Sequence, residues 1–171
     1  MTPGPDYYRR VRETCDKYGI LFICDEVLMG YGRTGRAFAI KDWDVLPDMI
    51  TCGKAIGSGY APLGAVIASE KVAGFFREGK RRFNHGFTYS GHAASCFIGQ
   101  KVFEIMQREG LFTRANDIGA YLHKSLGALQ QKHALIGDLR GRGLYAGLEF
   151  VADRRTRAPL PESARFTARL L

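Results

Sequence analysis

The sequence lacks a long unbroken apolar run, so no segment has the pattern of a membrane-spanning helix. Residues 55–69 carry no charge, but they are interrupted by four glycine or proline residues, namely Gly57, Gly59, Pro62 and Gly64. A helix that crosses a bilayer needs about 20 consecutive apolar residues. The start of the chain also lacks the basic residues and apolar run of a secretory signal. We therefore expect a cytoplasmic protein without a membrane partner.

Cysteine is scarce and lacks the spacing that a metal site or a disulfide framework requires. The four cysteines form no CxxC pair and show no metal-type spacing with the four histidines. Cys24 and Cys52 lie within apolar runs, where a buried thiol behaves as a small apolar side chain. We expect no metal site and a reducing compartment.

Acidic residues are outnumbered, since 17 Asp and Glu stand against 25 Lys and Arg, for a formal net charge of +8. A basic surface attracts phosphate, so a nucleic-acid-binding module is one alternative function. The basic residues, however, occur in scattered groups without interleaved stacking aromatics, at Arg9-Arg10, Lys80-Arg81-Arg82 and Arg154-Arg155. We therefore expect no nucleic acid partner.

Apolar residues make up 46% of the chain, and their pattern predicts an α/β fold. Continuous apolar runs at residues 20–24 and 49–52 show no alternation, which is typical of parallel strands covered on both faces. We expect residues 1–110 to form part of a large domain with a mostly parallel sheet. Further elements are predicted from periodicity, with helices at 7–18, 70–78 and 93–109 and a strand at 64–68.

A second pattern begins at residue 111. A helical stretch to about residue 133 is followed by glycines and alternating apolar residues at 137–150, which are typical of antiparallel strands. Residues 166–171 again have the pattern of a helix, without a stop signal. We expect residues 111–171 to form a small α+β C-terminal domain that is cut short.

The stretch CDEVLMGYGRTG, residues 24–35, carries three glycines at the spacing of a dinucleotide-binding fingerprint. That fingerprint needs glycines that open a helix and an acidic residue about twenty positions later. Neither condition is met, because Thr34 to Asp48 has no helical stripe and its acidic residues come too early. Gly53-Lys54 also lacks the flanking residues of a phosphate-binding P-loop. The sequence does not predict nucleotide binding.

Two charged residues follow apolar runs: Asp25 comes after ILFIC, and Lys54 comes after MITCG. Ligands bind at the carboxyl ends of strands in an open parallel sheet, where Asp25 and Lys54 would lie within about 10 Å of each other. This separation suits pyridoxal phosphate, which needs an acid beside its pyridine nitrogen and a lysine that forms a Schiff base. A buried Asp25–Lys54 ion pair and two unrelated strand-end charges are the alternatives.

The residues around this pair favour the cofactor interpretation. The segment AIGSGYAPLG after Lys54 contains three glycines, which permit the backbone to approach a ring closely. Val27 lies two residues beyond Asp25 and either packs under such a ring or belongs to the core. Thr88, in NHGFTYSGH, either binds a phosphate or begins the following helix.

Three motifs in this order and spacing, DEVLMGYGRTG, PDMITCGKAIGSGYAPLGAVIAS and FNHGFTYSGH, resemble the class III family of pyridoxal-phosphate-dependent aminotransferases, which has the aspartate aminotransferase fold. The resemblance extends to GDLRGRGLYAGLEF near the end of the chain. It implies that Asp25 pairs with the pyridine nitrogen, that Val27 packs on the ring and that Lys54 forms the Schiff base. It also implies that Thr88 reaches the phosphate of pyridoxal 5'-phosphate in a partner subunit of a homodimer or a dimer of dimers.

The implied activity is amino transfer between a small-molecule amino donor, an amine or amino acid, and a keto acid. SGYAPLGAV and HGFTYSGH are similar to the omega-amino-acid:pyruvate branch of the family. Because family members are more than twice as long, we expect a C-terminal-half fragment that binds the cofactor weakly and is inactive alone. A non-catalytic fragment and one half of a split enzyme are the alternatives.

Overall fold

The computed structural model describes residues 2–79 and 81–170 and has an α/β architecture, as predicted. No helix in these ranges is both long and apolar enough to cross a membrane. The α-helices are Tyr7–Tyr18 (α1), Glu70–Arg77 (α2), Ala93–Arg108 (α3), Leu111–Lys132 (α4) and Phe166–Leu170 (α5). The strands are Ile23–Asp25 (β1), Met49–Cys52 (β2), Ala65–Ala68 (β3), Ile136–Arg142 (β4), Tyr145–Asp153 (β5) and Ala158–Pro159 (β6). Short 3-10 helices occur at Ala39–Trp43, Lys54–Ile56 and Glu162–Ala164.

The first helix ends where its sequence pattern predicts. Gly19 has a left-handed backbone with φ 64°, and its N–H group donates to the carbonyl of Asp16. The N–H group of Ile20 donates to the carbonyl of Cys15 at 2.8 Å. Glycine is favoured at this position because a Cβ atom would be strained there. The cap turns the chain towards β1.

The first sheet has the strand order β1, β2, β3. β1 runs parallel to β2, with Asp25 beside Thr51, and β2 runs antiparallel to β3. The described part of this sheet therefore contains one parallel and one antiparallel pair, where the sequence predicted mostly parallel pairing. The reason is the connection from β2 to β3, which contains a short 3-10 helix and no crossover α-helix.

Described residues cover only one face of this sheet. Phe22 and Cys24 are buried together with Ile40, and α1 packs against this cluster. Ile23, on the opposite face, is 52% exposed. Within the described residues the side chains of β1 alternate between exposed and buried, and cover on the second face of the strand stays a prediction. β1 also starts at Ile23 rather than at Ile20.

Asp48 ties α1, β1 and α2 together at the edge of this sheet. Its carboxylate accepts hydrogen bonds from the Phe22 N–H group (2.8 Å), the Arg12 guanidinium (2.8 Å) and the Lys71 ammonium (3.2 Å). Burial alone would raise the pKa of Asp48, but these donors outweigh burial and lower the pKa to about 2. The carboxylate therefore stays charged near neutral pH and stabilises the junction.

The second sheet consists of β4, β5 and β6, which pair antiparallel in that order. β4 and β5 are joined by a two-residue turn, Gly143–Leu144. Helix α4 packs on β4, and α3 contacts α4. The proposed boundary between residues 110 and 111 falls at Gly110, which has φ 61° and separates α3 from α4. The division into two domains stays a prediction.

Candidate functional site

Asp25 is the last residue of β1, and its side chain lies on the exposed face of the sheet. Its Oδ1 atom accepts a hydrogen bond from the N–H group of Val27 at 2.9 Å, which orients the carboxylate. Within the described ranges no cation and no other donor contacts this carboxylate. The Oδ2 atom of Asp25 can therefore pair with a cationic group of a ligand.

Lys54 follows β2 after a single glycine and begins the 3-10 helix Lys54–Ile56. Its backbone has φ 47°, a left-handed conformation that is uncommon for residues other than glycine and that occurs frequently at ligand sites. The residue is exposed, and its ammonium group forms no ion pair with any residue that the structure describes. The alternative of a buried Asp25–Lys54 ion pair is wrong, since the two side chains are exposed and not paired.

The strand register brings Asp25 and Lys54 to the same end of the sheet. Asp25 lies beside Thr51 in the parallel pair, and Lys54 follows Thr51 by three residues. Neighbouring strands are about 4.8 Å apart, and three residues of chain extend at most about 11 Å. The Cα atoms of Asp25 and Lys54 are therefore separated by at most about 16 Å. Two side chains can reach towards a flat ring across such a separation.

Val27 packs between the ends of β1 and β2. It is half-buried, and a Cβ atom built on Gly53 would lie 3.2 Å from the Cγ1 atom of Val27. The missing side chain of Gly53 therefore lets Val27 lie against the backbone that precedes Lys54. The role of Val27 towards a cofactor ring stays a prediction.

Glu26 is a residue beside the site that the sequence did not single out. It is 2% exposed, and its Oε1 atom accepts a hydrogen bond from the N–H group of Ile40 at 2.8 Å. Burial raises the pKa of Glu26, although hydrogen bonds from the N–H groups of Ile40 and Ala39 oppose this rise. The signal in the sequence was its position two residues after the apolar Cys24, on the side of β1 that faces the core.

The segment after Lys54 forms a tight turn. A Cβ atom on Gly57 would lie 2.4 Å from the carbonyl oxygen of Ala61, and Ser58 and Gly59 have φ values of 48° and 81°. Gly57 thus lies close to the backbone of Ala61, and the expected approach of these glycines to a cofactor ring stays a prediction. The glycines therefore shape the turn that carries Lys54.

The glycines of CDEVLMGYGRTG open no helix, as the sequence predicted. Residues 30–38 form turns that lead into the 3-10 helix Ala39–Trp43. Gly35 has φ 84°, and a Cβ atom there would lie 1.8 Å from the Oδ1 atom of Asn116 on α4. The close packing of this loop against α4 is thus what requires glycine.

Thr88 lies in residues 81–94, a stretch before and into α3 in which every residue is exposed. Among described residues, its side chain forms no hydrogen bond, and neither Asp25 nor Lys54 is bonded to it. The adjacent Phe87 and Tyr89 line a surface cleft of about 690 Å³. The structure of this single chain therefore does not join Thr88 to the other two residues, and its phosphate contact stays a prediction.

The cysteines are free thiols, and burial raises the pKa of Cys24 to about 12. Within residues 2–79 and 81–170, no group of three or more His, Cys, Asp or Glu side chains is placed so that it could hold a metal ion.

Comparison with known proteins identifies the family. The family model described as Aminotransferase class-III matches residues 1–170. The chain belongs to the class III aminotransferases. A probable aminotransferase of Mycobacterium tuberculosis is 41% identical over 167 residues, which cover 98% of this chain and 35% of that relative. An uncharacterized aminotransferase of Bacillus subtilis is 38% identical over 167 residues, which cover 98% of this chain and 38% of the relative.

A solved structure confirms the fold class. An amine transaminase from an uncultivated Pseudomonas species, in a form with pyridoxal phosphate bound, matches with a TM-score of 0.92 and 39% identity over 99% of this chain and 39% of the other. The predicted family, the α/β fold and the predicted cofactor of the family are confirmed. This class III chain spans between 35% and 38% of the length of the two curated relatives.

Proposed function

We propose that this chain carries the lysine-bearing part of a transaminase that transfers an amino group between an amine or amino acid and a keto acid. The observation that best supports this proposal is the pair of unpaired opposite charges, Asp25 and Lys54, at the ends of neighbouring strands. Val27 lies against Gly53, the residue before Lys54. When bound, pyridoxal 5'-phosphate would supply an electron sink for the negative charge that develops on the substrate carbon.

In this proposal Asp25 holds the pyridine nitrogen of the cofactor in its protonated form. The N–H group of Val27 occupies Oδ1 of Asp25, which leaves Oδ2 to accept a hydrogen bond from the ring nitrogen. The negative charge of Asp25 next to the ring nitrogen would favour the protonated form of the ring. Only a protonated ring withdraws electrons strongly. Val27 would contact the ring beside the carboxylate of Asp25.

Lys54 would hold the cofactor through a Schiff base on its ε-amino group. When that amino group is free, Lys54 would act as the general base and acid that takes a proton from the substrate carbon and returns it. No carboxylate in the described ranges pairs with the ammonium group of Lys54. The Lys54 side chain is therefore free to move between bonding the cofactor and reaching the substrate carbon. The amino donor and the keto acid are small molecules, and we propose the omega-amino-acid:pyruvate branch for them.

The test is to reconstitute the chain with saturating pyridoxal 5'-phosphate, reduce it with borohydride and map the modified peptide. We expect the label on Lys54, because it is the lysine next to Asp25. Lys54→Ala should lose the label, and Lys124→Ala, which removes an exposed lysine on α4, should keep it. A label on other lysines with none on Lys54 would contradict the assignment.

The proposal includes a shared site, in which Thr88 reaches the cofactor phosphate of a partner subunit in a homodimer or a dimer of dimers. It is supported by the exposure of Thr88 and of its large neighbours Phe87 (68%) and Tyr89 (72%), which is typical of an interface. In the complete enzyme, hybrids of Thr88→Ala and Lys54→Ala subunits should regain one unaltered site of two. Hybrids that form and show no regained activity would contradict the shared site.

We also propose that the 171-residue chain alone binds the cofactor weakly and does not turn over, since it spans a minor part of its relatives. The check is a transamination assay of the purified chain with several amines and pyruvate. Multiple turnovers by the isolated chain would overturn this part of the proposal.

A further inference from the structure

The turn between β4 and β5 touches the loop that follows Asp25. The N–H group of Leu144 donates to the carbonyl of Arg33 at 2.9 Å. A Cβ atom on Gly143 would lie 2.8 Å from that same carbonyl oxygen and 2.7 Å from the carbonyl carbon of Thr34. The two backbones are therefore in direct contact, and no side chain fits between them.

Helix α4 presses on the other side of this turn. A Cβ atom on Gly119 would lie 2.6 Å from the carbonyl carbon and oxygen of Gly143. Gly119 is buried, and Gly143 has φ 56°, a conformation that favours glycine. The backbone of Gly143 thus lies in close contact with both α4 and Thr34. A displacement of the β4–β5 turn should therefore change the position of the loop that follows Asp25.

The same turn also lies near the segment that follows Lys54. Leu144 and Arg33 line a cleft of about 210 Å³ that Ala55 and Ser58 line as well. Ser58 lies in the tight turn after Lys54 and has φ 48°. A single two-residue turn is therefore bonded to the loop after Asp25 and shares a cleft with the segment after Lys54.

Backbone hydrogen bonds within the loop connect it to the residue next to Asp25. The N–H group of Gly35 donates to the carbonyl of Gly32, and that of Gly32 donates to the carbonyl of Arg36. The N–H group of Gly30 donates to the carbonyl of Glu26, the residue next to Asp25, at 2.8 Å. These hydrogen bonds fold residues 30–36 into a compact loop whose first bond is made to the neighbour of Asp25.

We infer that Gly143 and Leu144 are positioning residues, which act through the two loops to set Asp25 and Lys54 relative to each other. The inference rests on the proposed function for the roles of those two residues. The contacts that support this inference are all made between described residues of this chain. The β4–β5 turn thereby links the second sheet to the site.

The test uses two glycines of α4 as a matched pair. Gly119→Ala places a methyl group against Gly143, whereas Gly127→Ala places it in open space, and both changes favour the helix equally. We expect Gly119→Ala to accelerate amide hydrogen exchange at Leu144 and Gly30 by at least about tenfold. Gly127→Ala should leave exchange at both amides unchanged.

A second readout separates positioning from a purely structural role. After incubation with pyridoxal 5'-phosphate and borohydride, we expect Gly119→Ala to show less label on Lys54 than Gly127→Ala, together with a shifted visible absorbance of the bound cofactor. Leu144→Ala adds no atoms and should also lower the label on Lys54, which keeps the test valid if Gly119→Ala does not fold.

Equal exchange and equal Lys54 labelling in all variants and the wild type would overturn the inference. Faster global unfolding with unchanged labelling would overturn it as well, because the turn would then serve stability only. Absence of label on Lys54 in the wild type contradicts the proposed function instead. In that case the hydrogen exchange of Gly119→Ala against Gly127→Ala still decides whether the turn holds the loop.

Discussion

The two faces of the first sheet differ sharply, although both are built from the same strands. Phe22, Cys24 and Glu26 face the covered side and are at most 7% exposed, whereas Ile23 and Asp25 face the other side and are exposed. Groups that stabilise the fold and groups proposed for chemistry therefore alternate residue by residue. Substitutions along residues 22–26 should alternate between loss of stability and loss of cofactor contact.

The largest difference is expected between two neighbouring apolar residues. Phe22→Ala should lower the free energy of unfolding by about 3–5 kcal/mol, because it leaves a cavity beside Cys24 and Ile40. Ile23→Ala should cost less than about 1 kcal/mol, because half of Ile23 is already exposed. Urea unfolding followed by the fluorescence of Trp43, the single tryptophan, measures both. Equal losses would break the comparison and would mean that the second face is covered in solution.

The next largest effect on stability is expected at Asp48, which joins α1, β1 and α2 through its hydrogen bonds. Asp48→Asn should lower the free energy of unfolding by about 2 kcal/mol near neutral pH, since its carboxyl pKa is about 2 against an ordinary value of 3.8. Because the folded-state pKa is the lower one, this stabilisation is present above pH 3.8 and is lost as the pH falls towards 2.

Asp16 provides the control for that change. It also pairs with Arg12, at 2.7 Å, but its side chain is 61% exposed, so Asp16→Asn should cost less than about 0.5 kcal/mol. Unfolding measured across the acid range should therefore lose its pH dependence more in Asp48→Asn than in Asp16→Asn. The same pH dependence in both variants would show that burial of Asp48 does not strengthen its contacts.

Much of the fold follows from local patterns in the sequence. The end of α1 at Gly19, the strand Met49–Cys52 and the helices α3 and α4 lie where periodicity and glycine caps predict them. These elements are determined by residues that are near one another in the sequence. One amino-acid sequence is therefore enough to locate them. The proposed roles of Asp25 and Lys54 needed the family resemblance, because two strand-end charges also fit an ion pair.

The features that the sequence did not reveal depend on contacts between distant residues. An apolar run such as ILFIC does not indicate which of its faces is covered, so the sequence did not show that Phe22 and Cys24 face the described core and Ile23 does not. The clamped position of Gly143 depends on Gly119 and Thr34, which are distant in sequence. Glu26 was missed because a charged residue after a strand suggests solvent, whereas this side chain is buried and its Oε1 atom accepts a hydrogen bond from the N–H group of Ile40.

The smallest effect on stability is expected at Asp25, and it sharpens the comparison most. Asp25→Asn should change the free energy of unfolding by less than about 0.5 kcal/mol, because the residue is exposed and unpaired. The amide oxygen of the new side chain can still accept the hydrogen bond from the N–H group of Val27. A neutral amide, however, does not hold a proton on the pyridine nitrogen.

We therefore expect Asp25→Asn to fold like the wild type and to alter both the visible absorbance of bound pyridoxal 5'-phosphate and the extent of label on Lys54 after borohydride reduction. Asp44→Asn, a change at an exposed aspartate away from the strand ends, serves as the control and should alter neither. The measurements are urea unfolding, an absorbance spectrum and peptide mapping on the same preparations. If Asp25→Asn destabilised the chain while leaving the spectrum and the label unchanged, Asp25 would belong with the structural residues of the covered face, and the assignment of chemistry to the open face would be wrong.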